Sequence, residues 1–200
     1  MQFIKEETQR CGIEILSWCL MTNHVHFVVV PHDESSLAKG FGEAHKRYTR
    51  MKNFSEGVRG YLFQGRFGSC VLDERHLLAA VRYVENNPAA AGIVNNAWEY
   101  PWSSAAYHVG SIEDDALVKD RSLYGLVNDW RIYLGEEEND IFNTIRKATR
   151  TGRPAGWGWN WNCWWSTLGT AWGSQAPGIS DTAVVRCCSG NCPTAASTAR

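Results

Sequence analysis

The sequence predicts a single α+β domain followed by a compositionally distinct tail. Three observations carry that prediction: two adjacent β-prone runs joined by a turn, helical segments on either side of them, and an abrupt change of composition at Pro154. At 200 residues and 22.5 kDa the chain can bury one sizeable core but is short for two.

Phe3 to Arg10 reads as the end of an amphipathic helix stopped by Gly12 at its C-cap. Ile13 to Met21 is apolar and β-prone, Thr22-Asn23 is turn-like, and His24 to Val30 is a second β-rich run closed by Pro31, so the pair forms an antiparallel hairpin. Beyond a polar turn, Leu37 to Asn53 has helical spacing and a basic face, and Gly57 and Gly60 end it. Phe67 to Leu72 fits a short strand. Asp73 and Glu74 then cap a helix from about Glu74 to Asn86, which Pro88 is expected to stop. An aromatic, serine-rich stretch from Trp98 to Gly110 precedes helices near Ser122 to Leu134 and Asn139 to Thr149. After Pro154 six of the ten tryptophans crowd together and only Asp181, Arg186 and Arg200 carry charge. That tail has no sustained period, and little stable structure is expected of it. The organisation read from this is a core over 1–110, a helical extension over 111–153 and a tail over 154–200.

The formal net charge of -1 hides a dipolar chain. Glu43 to Arg82 carries eight Lys/Arg against four acids, whereas Ser111 to Asp140 carries nine acids against three bases, so the middle of the chain can face phosphates although the whole cannot. Seven cysteines without regular spacing exclude a secreted disulfide scaffold and fit a reducing cytoplasm. No apolar run approaches the ~20 residues of a membrane span, and the first residues lack the apolar stretch of a signal peptide.

Two constellations can carry chemistry. His24 and His26 stand at i and i+2 of a strand and so project from one face, either as half of a metal site or as two histidines satisfied by hydrogen bonds. Tyr83 and Asn87 stand at i and i+4 of a helix, to one side of the apolar stripe Leu77, Val81 and Val84. They can face a cleft together, or be a boundary tyrosine and a capping asparagine. Cys187, Cys188 and Cys192 lack a fourth ligand at zinc spacing.

The string Trp18-Cys-Leu-Met-Thr-Asn-His-Val-His-Phe-Val-Val-Val-Pro31 resembles the metal-binding strand of the HUH single-tyrosine transposases, and within them of the REP-associated branch. Phe63-Gln-Gly-Arg-Phe67, Arg82-Tyr-Val-Glu-Asn-Asn-Pro88, Ala91-Gly-Ile-Val94, Trp102-Ser-Ser104 and Thr151-Gly-Arg-Pro154 resemble that family's later signatures in the same order. The resemblance implies His24, His26 and Asn87 as ligands of Mg²⁺ or Mn²⁺ and Tyr83 as the nucleophile that forms a 5′-phosphotyrosine on single-stranded or hairpin DNA. Tyr48 and Tyr61 compete for that role without the motif. Lys46, Arg47, Arg50 and Arg66 are candidate DNA-phosphate contacts, or a solvated basic face. A monomer or a homodimer fits equally.

The resemblance also implies a ferredoxin-like βαββαβ antiparallel sheet with helices on one face. Its first strand is central, between the histidine strand and the last strand, and is expected to lie before Met1. Lacking it, the histidine strand is expected to have an open edge unless another segment substitutes. Relatives continue past Pro154 with a charged, often basic segment, so a frameshift near that residue is expected. Two other functions fit the residues less completely: a remnant or regulator that binds DNA without turnover, and an RNA-binding ferredoxin-like module, against which the histidine pair argues.

Overall fold

The computed structural model describes residues 1–63, 65–72, 74–119, 123–136, 143–145, 147 and 183–188. In chain order they form α1 (Gln2–Arg10), β1 (Ile13–Leu20), β2 (His24–Pro31), α2 (Ser36–Glu56), β3 (Gly68–Val71), α3 (Glu74–Ala90), two short helices α4 (Ala105–His108) and α5 (Trp130–Gly135), and β4 (Ala183–Cys188). The strands make one antiparallel sheet in the order β1-β2-β4-β3.

β1 and β2 pair as the hairpin the sequence predicts, from Ile13 opposite Pro31 to Leu20 opposite Val25. A bulge between Ile15 and Ser17 shifts the alternation by one, so Ile13, Ile15 and Trp18 face one side of the sheet while Leu16 and Cys19 face the other. In β2, Phe27 and Val29 join the first set and Val28 the second. α2 packs Phe41 and α1 packs Ile4 on the Phe27 side, while α3 packs Leu77, Ala80, Val81 and Val84 on the Val28 side. The helices therefore cover both faces, which corrects the expectation of helices on one. The cause is in the strands themselves: both parities of β1 and β2 are apolar, and neither face can be left to water.

Close approach on the first face depends on Gly40 of α2, where an added Cβ would lie 2.6 Å from Ile13 Cδ1. α1 is fastened to α2 by Arg47, which pairs with Glu6 and Glu7 at 2.7 Å each and lies over the Phe3 ring.

The helix ends follow glycine more than proline. α2 closes at Gly57 in the left-handed region, where Val58 N–H bonds the Asn53 carbonyl. α3 runs through Pro88, against expectation, and continues to Ala90. It stops where Gly92 (φ 69°) donates to Ala89 and Ile93 N–H to the Pro88 carbonyl. The helix expected over Ser122 to Leu134 is shorter, a single turn at Tyr124–Leu126 and then α5, whose N-cap Asp129 accepts from the N–H groups of Arg131 and Ile132. Most of the expected helix over 139–149, and the side chains of the expected cap at Asp73 and Glu74, lie outside the described residues.

The expected open edge of the histidine strand is also corrected. β4 lies against it, from His24 opposite Cys188 to Val29 opposite Ala183, and pairs on its other side with β3. Val185, across from Phe27, is fully buried. A strand thus forms within the segment from which little stable structure was expected. Its Ala-Val-Val-Arg-Cys-Cys run is short but β-prone, and the two edges beside it have backbone groups to satisfy.

The free edge of β1 is met in part by the Trp-Ser-Ser block. Leu20 N–H donates to the Trp102 carbonyl, Ser104 N–H to the Trp18 carbonyl, and Cys19 bridges Ser103.

Candidate functional site

β2 projects His24 and His26 from the face that α3 covers, and α3 turns Tyr83 toward that face. The imidazole centroids are 4.9 Å apart with the rings at 90°, and the Tyr83 ring meets His26 edge to face at 5.5 Å. His26 is buried and Tyr83 is 7 % exposed, whereas His24 is half-buried at the end of the hairpin. The paired histidines and the tyrosine are therefore brought together by two elements whose packing the apolar residues dictate: Val28 on β2 and Val81 and Val84 on α3 share one core.

Asn87 follows Tyr83 by one turn and its amide Nδ2 donates to the Tyr83 carbonyl at 2.7 Å. That bond uses the nitrogen and leaves the amide oxygen as the group able to act as a ligand. His24 Nδ1 lies 2.7 Å from Asn23 Oδ1. An amide oxygen only accepts, so Nδ1 is the donor in this contact, the arrangement in which the Nε2 of a neutral ring can bind a metal while a neighbour orients it. Two imidazoles on adjacent same-face positions and one amide oxygen fit a divalent cation in donor chemistry. Among the described residues no group of three or more His, Cys, Asp and Glu gathers as an alternative metal site.

The basic candidates lie apart from this cluster, on the helix of the opposite face and the loop after it. Lys46 is exposed and pairs with Glu43 at 3.2 Å, and Arg50 and Arg66 are exposed. Arg47 is engaged by Glu6 and Glu7, so its charge serves the packing of α1 on α2. Of the competing tyrosines, Tyr48 is 39 % and Tyr61 100 % exposed, and both belong to that other region. Cys187 and Cys188 fall in β4, and Cys192 lies outside the described residues.

One buried node was missed by sequence reasoning. Glu85, two residues from Tyr83, is fully buried; its Oε1 accepts from Ser104 Oγ at 2.5 Å and Ser17 Oγ at 3.2 Å and lies 2.6 Å from His108 Nδ1. His108 in turn stacks on Trp130 at 4.7 Å. The available signal was the i and i+4 relation of Glu85 to Val81 on the apolar stripe, which puts a carboxylate on the buried side of α3. Below it, burial pushes the Cys19 thiol up to about 12, with Glu85 adding to the effect, so this cysteine is an inert part of the core.

A mixed α+β domain with paired histidines beside a helix-borne tyrosine is the setting in which the comparisons with known proteins fall. Residues 1–87 match the family model described as Transposase IS200 like, a stretch that runs from α1 through Asn87 and includes His24, His26 and Tyr83. The match covers 87 of the 200 residues and is a likeness to that family over this stretch. No curated protein and no solved structure matches the chain. No helix among the described residues is long and apolar enough to cross a membrane.

Proposed function

We propose that this chain is a REP-associated, metal-dependent tyrosine transposase that cuts and rejoins single-stranded DNA at hairpin-forming repeats. The observation that carries the reading is the 5.5 Å edge-to-face contact between Tyr83 and His26. It puts the only tyrosine with the family's motif beside the only His-X-His pair. The strand order supports the reading as well. If β4 takes the place of the central first strand, β1-β2-β4-β3 follows the neighbour relations of a ferredoxin-like sheet.

In this reading His24, His26 and Asn87 hold Mg²⁺ or Mn²⁺, with imidazole ligands favouring Mn²⁺ of the two. When bound, the cation supplies Lewis-acid polarisation of the scissile phosphate and charge stabilisation for the leaving oxygen. Tyr83 gives up its hydroxyl proton and its oxygen forms a bond to phosphorus. The bond from phosphorus to the 3′ oxygen breaks, and that oxygen takes up a proton as a free hydroxyl. The product, a 5′-phosphotyrosine, conserves the energy of the phosphodiester, so a 3′ hydroxyl can reverse the attack and join a new strand. The i and i+4 relation of Tyr83 and Asn87 makes nucleophile and amide move as one unit with α3.

The test is incubation with Mn²⁺ and labelled single-stranded hairpin DNA from the flanks of the protein's own gene. A denaturant-resistant adduct that vanishes in Tyr83→Phe is the expected result. A second reading, a regulator that binds DNA without turnover, is favoured by the 7 % exposure of Tyr83, which leaves little room for a phosphate in this conformation. Binding without any adduct would select it.

A further inference from the structure

We propose that the outer end of α2 and the loop after it form a platform on which unpaired bases of single-stranded DNA stack, with Phe54 and Tyr61 as the stacking rings and Arg50, Arg59 and Arg66 on the backbone. The proposal rests on the reading of the chain as an enzyme of single-stranded DNA, and adds to it a binding surface on the face of the sheet away from Tyr83.

Phe54 is 92 % and Tyr61 100 % exposed, and Tyr48, Met51 and Val58 beside them are also exposed. Large rings in water are a cost to the free protein, and one place where such rings gain by binding is against another planar apolar face. The loop that carries Tyr61 is not loose. Gly57 ends α2 in the left-handed region, Asn53 Nδ2 donates to the Gly60 carbonyl at 2.8 Å, and Phe63 stacks on His45 at 4.0 Å. The loop therefore folds back along α2, with Gly60 level with Asn53 and Phe63 level with His45. That brings the backbone next to Tyr61 beside Asn53 of the helix, while the Tyr61 and Phe54 rings stand almost wholly in water.

Charge selects the occupant. Glu43 and Glu56 are each neutralised by a lysine of the same helix, Lys46 and Lys52, while Arg50, Arg59 and Arg66 are exposed and have no carboxylate partner among the described residues. What is left is cationic and aromatic together. Phosphates and base faces repeated along a flexible strand complement that combination, because every base has a π-face and every linkage a charge. A duplex hides its base faces and offers only the phosphates.

The experiment is fluorescence anisotropy of a labelled oligothymidylate of about a dozen nucleotides, run with the full chain, with Phe54→Ala, with Tyr61→Ala and with the double variant. Each is measured on the intact strand and on the same strand carrying abasic residues. Both positions are exposed, so thermal melts should be unchanged. The expected result is a loss of about tenfold in affinity per variant on the intact strand. Little further loss should appear on the abasic strand, and Arg59→Ala should lower the salt dependence of binding. Variants that bind the intact strand like the wild type would overturn the platform, as would losses equal on both strands. Tighter binding of the matching RNA would overturn the DNA assignment. Wild-type protein that forms the Tyr83 adduct while ignoring these substitutions leaves the enzymatic reading standing and removes the platform alone. Wild-type protein with neither adduct nor binding removes both.

Discussion

Replacing Glu85 by alanine should be the most damaging single change on α3, although the residue touches neither water nor the histidine pair. The carboxylate is fully buried and its Oε1 faces three groups: the Ser17 and Ser104 hydroxyls and the His108 ring nitrogen. Ser104 keeps an alternative acceptor in the Trp18 carbonyl at 3.3 Å, so two of the three lose most by the change. Leaving a buried donor unsatisfied costs about 1–3 kcal/mol, so two such donors make a total of about 2–6 kcal/mol. In a chain of this size each kcal/mol lowers the melting midpoint by about 2–4 °C, which gives a fall of about 10 °C. Glu85→Gln retains an acceptor oxygen for the serines and should lose only about 1 kcal/mol. Urea denaturation followed by tryptophan fluorescence suits the measurement, since Trp130 stacks on the His108 ring and reports on the node directly. An alanine variant within about 1 kcal/mol of the wild type, or a glutamine variant as weak as the alanine, would refute the assignment of this stability to the carboxylate.

Three further outcomes follow from the same geometry. His24→Ala and His26→Ala should each abolish the Mn²⁺-dependent adduct while leaving strand binding within about twofold, read by gel shift beside the adduct assay. Val185→Asp places a charge opposite Phe27 in the core and should lower stability by several kcal/mol, on the order of 3 or more, seen as an early urea midpoint. Acid should loosen α1. Burial alone would raise the Glu7 carboxyl, but hydrogen bonds from Arg10 and Arg47 hold it below its ordinary 4.5. Its contribution is therefore complete above that value and is lost as pH falls through the lower, folded one. Arg47→Ala should flatten the acid limb of a stability-against-pH curve, and an unchanged limb would assign the acid sensitivity elsewhere.

The hairpin, α2, β3 and α3 were legible because each has a local signal: a turn between β-prone runs, a helical period, a cap or glycine at the end. What the sequence hid is of another kind. The two-sided burial of the sheet was written in the apolar residues at both parities of β1 and β2, but the bulge at Ile15 to Ser17 breaks the alternation. Such a run does not announce how many layers cover it. Pro88 was read as a stop because its ring cannot continue a helix from the middle. The helix nevertheless runs past it to Ala90, and Gly92 does the stopping. In the candidate site, spacing left both the His24 and His26 pair and the Tyr83 and Asn87 pair open to a bland reading and the resemblance singled them out, while the approach of Tyr83 to His26 depends on the packing of α3 on β2, which no local pattern contains. Glu85 stayed hidden because a carboxylate in a helix reads as solvent-facing until its tertiary partners, 19 to 68 residues away in sequence, are known.

β4 raises the energetic question most specific to this chain. β3 is four residues long and is joined to the sheet through β4, and β2 meets β4 over six paired positions, so one short strand holds together the histidine strand and the strand that leads into the tyrosine helix. Closing the long connection back from the described residues near 147 costs only a logarithmic entropy, about 0.6 kcal/mol for each doubling of its length. Against that stand the backbone groups on two sheet edges and the burial of Val185 beside Phe27, each worth about a kcal/mol or more. Occupation of the slot ties the geometry of the candidate site to a segment more than ninety residues beyond its last member, Asn87. Loss of β4 pairing would free one edge of the His24 and His26 strand and detach β3 just before α3, so stability and adduct formation should fail together when that strand is disrupted.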